Sequence, residues 1–348
     1  MNSLGGKFLK KDLRSMTREE LSREINHMDM PNYRGNQIFE WVNKGVSFEE
    51  MTNLSKEMRK QLSESFTLSF AEIRKKQVSK DGTEKFLFQL PDGKMVESVL
   101  MRYKHGASIC ISTQIGCAMG CSFCASGLDG LDRNLSAGEM LSQILSVTKE
   151  INQRIANVVL MGSGEPLQNL KEVVKLLNIV NDEKGLNISM RHITISTCGL
   201  VPQIYELADL KLPVNLAISL HAASDTIRRS IMPIALKFSI ADTLKACDYY
   251  IDKTNRRITF EYALIPGLND HEEEIRTLAG HLRNKLCHVN FIPVNPVNEL
   301  FSHSKKRDYR ELIEILKKHK IPATIRRELG ADIDAACGQL KQQVKYKD

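Results

Sequence analysis

Three cysteines stand in the pattern C-x-x-x-C-x-x-C at Cys117, Cys121 and Cys124, inside the stretch CISTQIGCAMGCSFC that runs from Cys110 to Cys124. Thiolates this close together predict a soft-metal site. A structural zinc ion wants four ligands, commonly in paired C-x-x-C units. No second pair exists in this chain, and Cys198, Cys247 and Cys287 stand alone. An iron–sulfur cluster is the other thiolate-rich option. Three cysteines on a [4Fe-4S] cluster leave one iron open to an exogenous ligand. Cys110, seven residues before Cys117, is not needed for that set.

Other residues able to do chemistry lie at the ends of strand-like segments. Met161-Gly162-Ser163-Gly164-Glu165-Pro166 follows the second of these, and glycines there let the backbone approach a ligand closely. A dinucleotide fingerprint wants Gly or Ala at position 167; this chain has Leu167, so a Rossmann NAD site is not expected. Ser196-Thr197, Ser219-Leu220-His221 and Asn295 end further strands. Each is singly a common turn former, but together they offer hydroxyl, imidazole, amide and backbone groups at one end of one sheet. Glu97 lies in a strand among apolar neighbours, where alternation fits a solvent-facing residue as well as a functional one. Cys337 lies in GADIDAACGQL, residues 330–340. Small residues bracketed by Gly330 and Gly338 favour a mobile loop, and a thiolate there can serve as a nucleophile.

The elements that must position these groups follow from periodicity. Residues 1–62 read as three short helices. Thr17–Glu20 forms a capping box before Leu21, Ile25 and Met28; a second helix spans 35–44 with Trp41 as a core anchor; a third starts near Ser47 and carries Met51, Leu54, Met58 and Leu62. Residues 63–104 switch to strands, with Pro91-Asp92-Gly93-Lys94 marking a hairpin. From 105 to 330, strands at 108–113, 156–161, 192–197, 214–220, 258–264 and 288–294 alternate with helices at 137–152, 170–181, 201–207, 240–253, 271–286 and 308–319. That pattern is α/β with a parallel sheet, open or partly closed into a barrel, and functional loops at the strands' C-terminal ends. A last strand-like segment spans 323–328, and residues 331–348 form a tail.

The 348 residues exceed one average domain, and a hydrophobic fraction of 42% supports a sizeable core. No apolar run is long enough to span a membrane and no signal peptide opens the chain. The cytoplasm is the expected compartment, where the 8 cysteines serve as thiols, ligands or catalytic groups. The net charge of +7 and the basic clusters at 74–76, 256–257, 305–307, 317–320 and 326–327 suit a polyanionic partner.

The cysteine loop, with Phe123 before its third cysteine, resembles the radical S-adenosylmethionine (SAM) superfamily. Gly164-Glu165-Pro166 is similar to that superfamily's SAM-binding segment. Cys110, Met161–Pro166, Ser196–Gly199, Ser219–His221, the N-terminal Tyr-Arg-Gly-Asn-Gln-Ile-Phe-Glu-Trp and Asp332–Leu340 together resemble the RlmN/Cfr family of RNA methyltransferases over nearly the whole chain. The resemblance implies a partial (βα)6 TIM-like barrel with an N-terminal helical, RNA-binding domain and a β-hairpin extension. It implies a [4Fe-4S] cluster on Cys117, Cys121 and Cys124, and SAM held by Gly164, Glu165, Ser196, Ser219, Leu220, His221 and Asn295. Two SAM molecules serve each turnover: one methylates Cys337, and the other yields a 5′-deoxyadenosyl radical that takes hydrogen from the S-methyl group. The methylene radical adds to C2 of adenine, an electrophilic carbon with no nucleophile for polar transfer. Cys110 then releases the RNA through a transient disulfide, with Glu97 as general base. The implied substrates are adenosine 2503 of 23S rRNA and adenosine 37 of tRNAs, and the implied donor is a flavodoxin or ferredoxin serving a monomer. Ser163 and Leu329 depart from the commoner pattern. One alternative is methylation at C8 of the same rRNA adenosine, conferring antibiotic resistance, although Pro166 after Glu165 favours C2. A second is a non-enzymatic iron–sulfur or zinc protein that binds RNA.

Overall fold

The computed structural model describes residues 10–104, 106–293, 309–335 and 338–340. Asn295, Cys337 and the basic cluster at 305–307 lie outside them.

Three helices come first: α1 (Arg18–Asn26), α2 (Tyr33–Val42) and α3 (Lys56–Ser65). The Thr17–Glu20 capping box forms as expected. The third helix starts later than apolar spacing suggests, because Ser55 caps it by accepting from the Met58 N–H. Met51 and Leu54 are buried nonetheless, from the turns before it. Trp41 is not the buried anchor expected. It is half-buried at the rim, with Nε1 donating to Asn53 and the Lys44 ammonium 4.4 Å from the ring centroid. The polar anchor is Arg14, 6% exposed, whose guanidinium donates to the carbonyls of Ser69 and Val46. Leu13, Leu21, Ile38, Phe39 and Leu62 share one apolar core with the sheet that follows.

That sheet has ten strands in chain order, each bonded to its predecessor. Strands β1 (Glu72–Val78), β2 (Glu84–Gln89), β3 (Met95–Tyr103) and β4 (Gly106–Cys110) run antiparallel. From β4 onward the pairing is parallel through β5 (Ile155–Leu160), β6 (Ile193–Thr197), β7 (Asn215–Ser219), β8 (Ile258–Leu264), β9 (Cys287–Pro293) and β10 (Ala323–Ile325). Helices α4 (Ala137–Ile151), α5 (Leu170–Asn181), α6 (Val201–Asp209), α7 (Asp225–Ile231), α8 (Ile240–Thr254), α9 (Glu272–Leu282) and α10 (Arg310–Lys318) lie in the crossovers. The six expected strand–helix alternations are present, and 323–325 adds one more parallel strand. Among the described residues, β1 and β10 are the sheet's two edges and do not pair with each other, so the sheet does not close into a complete barrel. The hairpin is therefore the antiparallel half of the same sheet. β1 escaped sequence reading because Glu-Ile-Arg-Lys-Lys-Gln-Val has no apolar alternation; its charges suit an exposed edge.

Alternation fixes the faces of the antiparallel half. Phe86, Phe88 and Leu100 join the main core, while Ser98 donates to Gln143 of α4 at 2.7 Å. Lys85, Glu97, Val99, Met101 and Cys110 lie on the opposite face, by their register across β2, β3 and β4. Among the described residues, no helix is long and apolar enough to cross a membrane.

Candidate active site

The C-terminal ends of β5 to β9 converge on one cavity, where open α/β sheets place their ligands. Cys117, Cys121 and Cys124 enter it from the loop after β4, and Gly164 and Glu165 from the turn after β5. Ser196 of β6, with Ser219 and His221 at the end of β7, completes the predicted set on its wall. Leu220 does not line it. Its side chain is fully buried in the core, and its carbonyl accepts from Arg228 Nε at 3.2 Å.

The turn after β5 has little freedom. Gly164 has φ +105°, and a Cβ there would lie 2.6 Å from the Gln114 Cβ. Glu165 is fixed by main-chain donors: its carboxylate accepts from the Cys198 N–H at 2.8 Å and the Leu167 N–H at 2.9 Å. Burial raises its pKa, and those hydrogen bonds oppose the shift. His221 is similarly set. Its φ is +57°, and Nδ1 accepts from the Ala263 N–H at 2.9 Å, leaving Nε2 to carry the proton. Burial, with Arg228 nearby, pulls its pKa down to about 3. Phe123 meets the imidazole edge-on at 4.8 Å.

The thiols test whether a cluster fits. Burial pushes Cys117 up to about 11 and Cys121 up to about 12, with neighbouring thiols and Glu165 adding to both shifts. Thiols grouped beside an acid do not ionise together unaided; a cationic, thiophilic group reverses that balance. Three thiols of one short loop opening together into this cavity are a donor set that fits a cluster with one iron left open.

A second cavity adjoins the first and shares Cys124, Met161 and Gly338 with it. Cys110 lines it and is buried among Val99, Met101, Ala335 and Leu340. Cys337 itself is not among the described residues, but those on either side of it are. Ala335 and Leu340 pack against Cys110, and the Gly338 carbonyl accepts from the Ala125 N–H at 2.7 Å. The tail was expected to be a mobile loop from its small residues. Its described part is instead seated: Gly330, Ala335 and Leu340 are buried, and 331–333 form a 3-10 turn.

Glu97 is not the solvent-facing residue that alternation allowed. It is 7% exposed, and its carboxylate lies 3.4 Å from the Lys85 ammonium. It lines neither cavity but shares a face with Val99 and Met101, which line the second. Sequence reasoning missed two further groups. Arg228 is fully buried behind the first cavity, donating to the carbonyls of Leu220, Cys198 and Phe238. Glu261 of β8 lines the first cavity and accepts from Asn290 of β9 at 2.8 Å. An acid inside a parallel, otherwise apolar strand was the available signal for the latter; Arg228 sits in a polar helical stretch and gives none.

The Radical SAM superfamily model matches residues 111–279, and that of the ribosomal RNA large subunit methyltransferase N-terminal domain matches residues 11–68. The chain is 55% identical over 335 residues to a probable dual-specificity RNA methyltransferase RlmN of Alkaliphilus oremlandii, covering 95% of this chain and 98% of that one. It is 52% identical over 336 residues to a protein of the same name from Clostridium novyi, with 95% and 98% covered. Among solved structures, a radical SAM methyltransferase from Sphaerobacter thermophilus superposes with a TM-score of 0.90 at 41% identity, over 94% of this chain and 98% of that one.

Proposed function

The chain belongs to the RlmN family of radical SAM RNA methyltransferases, and from that premise we propose that it methylates C2 of adenosine 2503 in 23S rRNA and of adenosine 37 in tRNAs. When bound, the cluster and two SAM molecules supply a 5′-deoxyadenosyl radical and a methyl group. Cys117, Cys121 and Cys124 hold the cluster. Gly164, Glu165, Ser196, Ser219, His221, Asn295 and the Leu220 main chain hold SAM. The Cys337 thiolate takes the methyl group, forming a C–S bond, and presents its carbon to the adenine. Glu97 accepts the proton that leaves C2. Cys110, as a thiolate, attacks the Cys337 sulfur; the disulfide forms as the C–S bond to the RNA breaks, and the electron pair left on that carbon takes up a proton to give the new methyl group. The helical N-terminal segment and the exposed basic clusters contact RNA through its phosphates, and the adenine is unstacked to reach the site. The enzyme works in the cytoplasm as a monomer, with electrons from a flavodoxin or ferredoxin.

One observation carries this reading: the residues flanking Cys337 are seated between Cys110 and the cysteine loop, with Ala335 and Leu340 on the former and Gly338 on the latter. A carrier used with both sites needs such a seat. The test is mass spectrometry of adenosine from rRNA and tRNA treated with anaerobically prepared enzyme. The expected product is 2-methyladenosine; 8-methyladenosine, or zinc without iron in the protein, overturns the reading. Cys337→Ala abolishes the product and the protein-borne methyl group while keeping iron. Cys110→Ala accumulates a covalent RNA–protein adduct.

A further inference from the structure

The turn joining β1 to β2, Ser79 to Thr83, holds none of the groups assigned above, yet it grips the tail. Ser79 Oγ donates to Asp332 Oδ1 at 2.5 Å, and the Lys80 N–H donates to Asp332 Oδ2 at 3.2 Å. The Gly330 N–H donates to Asp81 Oδ2 at 2.9 Å, while Asp81 Oδ1 accepts from the Thr83 N–H at 2.8 Å. Lys85, one step along β2, donates from Nζ to the Asp334 carbonyl at 3.1 Å, and the same ammonium faces Glu97.

These contacts hold backbone that has reasons to relax. Gly330 and Asp334 have φ of +67° and +52°, the second uncommon for a residue with a side chain. A Cβ on Gly330 would lie 2.7 Å from Ala335 Cβ and 3.0 Å from Thr83 Cγ2, so the turn and tail meet at backbone distance. Downstream, a second anchor belongs to the cysteine loop: Ala125 N–H to the Gly338 carbonyl, and Ser126 Oγ to the Leu340 carbonyl at 3.0 Å. The chain entering the span 336–337 is thus fixed by the hairpin, and the chain leaving it by the cysteine loop.

We propose that Ser79, Asp81 and Lys85 are positioning residues for the thiol chemistry: the hairpin turn is a clasp that sets where the chain enters the span carrying Cys337. The inference rests on the functional reading above and extends it to a part of the molecule outside the radical SAM core. The clasp acts on the carrier alone. The cofactor cavity takes no residue from the hairpin turn and only Gly338 from the tail, which the cysteine loop holds separately, so it keeps its form when the clasp opens. Misplacing a reacting group by about 1 Å costs on the order of 100-fold in rate, so the carrier, not the radical source, fails first.

The test uses full-length enzyme with its cluster, comparing wild type with Ser79→Ala/Asp81→Asn. Iron content, 5′-deoxyadenosine and methylated adenosine are measured together. The double variant keeps iron and makes 5′-deoxyadenosine, while methylated adenosine per 5′-deoxyadenosine falls roughly tenfold. A general loss of structure lowers both products in proportion and overturns the proposal, as does an unchanged ratio. Asp332→Asn approaches the clasp from the tail side, leaves the hairpin intact and lowers the same ratio. Lys85→Arg retains the wild-type ratio better than Lys85→Met. In cluster-free protein, the Gly330 amide exchanges roughly tenfold faster in Asp81→Asn than in wild type; equal protection overturns the clasp. A wild type that makes no methylated adenosine overturns the functional reading and the clasp with it. A coupled wild type beside an equally coupled variant overturns the clasp alone.

Discussion

At the parallel end of the sheet, Glu165 and His221 are held by main-chain N–H groups; on the antiparallel half, Glu97 faces the Lys85 ammonium, and Asp332 takes the Ser79 hydroxyl as well as the Lys80 N–H. Main-chain donors are placed by the backbone itself and cost no side-chain entropy. Side-chain partners cost conformational entropy and can be exchanged. The cofactor half therefore suits a bound group that stays in place. The hairpin half suits a carrier that must meet different reaction partners.

The largest expected effect breaks this division outright. Cys121→Ser loses iron and all methylated adenosine, whereas Ser79→Ala keeps its iron; equal iron in both, by colorimetric assay, would erase the distinction. Next is Lys85→Met, which removes the ammonium facing the buried Glu97 carboxylate. Breaking such a pair costs about 3–5 kcal/mol, read from urea denaturation of the cluster-free protein, and Lys85→Met/Glu97→Leu recovers most of it. A Lys85→Met loss under about 1 kcal/mol would mean that water already reaches the pair. Arg228→Met leaves three buried carbonyls short of a donor on the cofactor side and costs about 3 kcal/mol.

The pH dependence sharpens the comparison. His221 is held neutral with a pKa near 3, so below its unfolded value of about 6.5 the unfolded chain binds a proton that the native one does not. Stability then falls with acidification by about 1.4 kcal/mol per pH unit, or about 2 kcal/mol between pH 7.5 and 5. His221→Gln removes that slope in paired urea curves. Asp81 shifts in the same sense but in a lower pH window: hydrogen bonds hold its carboxyl at about 2 against the burial that would raise it. Its contribution is complete above the ordinary carboxylate range and is lost only as pH falls through 2. Protection of the Gly330 amide, corrected for intrinsic exchange, stays constant from pH 8 to 5, the smallest effect of the set.

The same division explains what the sequence made legible. The cysteine loop, the glycine turn after β5 and the strand ends are local patterns, and the strand–helix alternation carries their relative placement. Glu97 could not be read because both faces of β3 are covered, one by α4 and the other by a tail more than two hundred residues away. The seating of that tail was misread for a related reason. Its small residues allow close approach to Thr83 and Phe123 as readily as they allow mobility, and composition does not distinguish the two. Arg228 carries no local signal, because the carbonyls it bonds come from three separate segments.

The strand order has a consequence for synthesis. Since each strand of the sheet bonds to its predecessor, the emerging chain can add strands as they leave the ribosome, with little loop-closure cost. The clasp contacts are different, spanning 249 to 253 residues, and must wait until β10 is out. A nascent chain stalled before that point owns the cysteine loop and the strand ends around it, yet lacks the arm that makes radical chemistry useful.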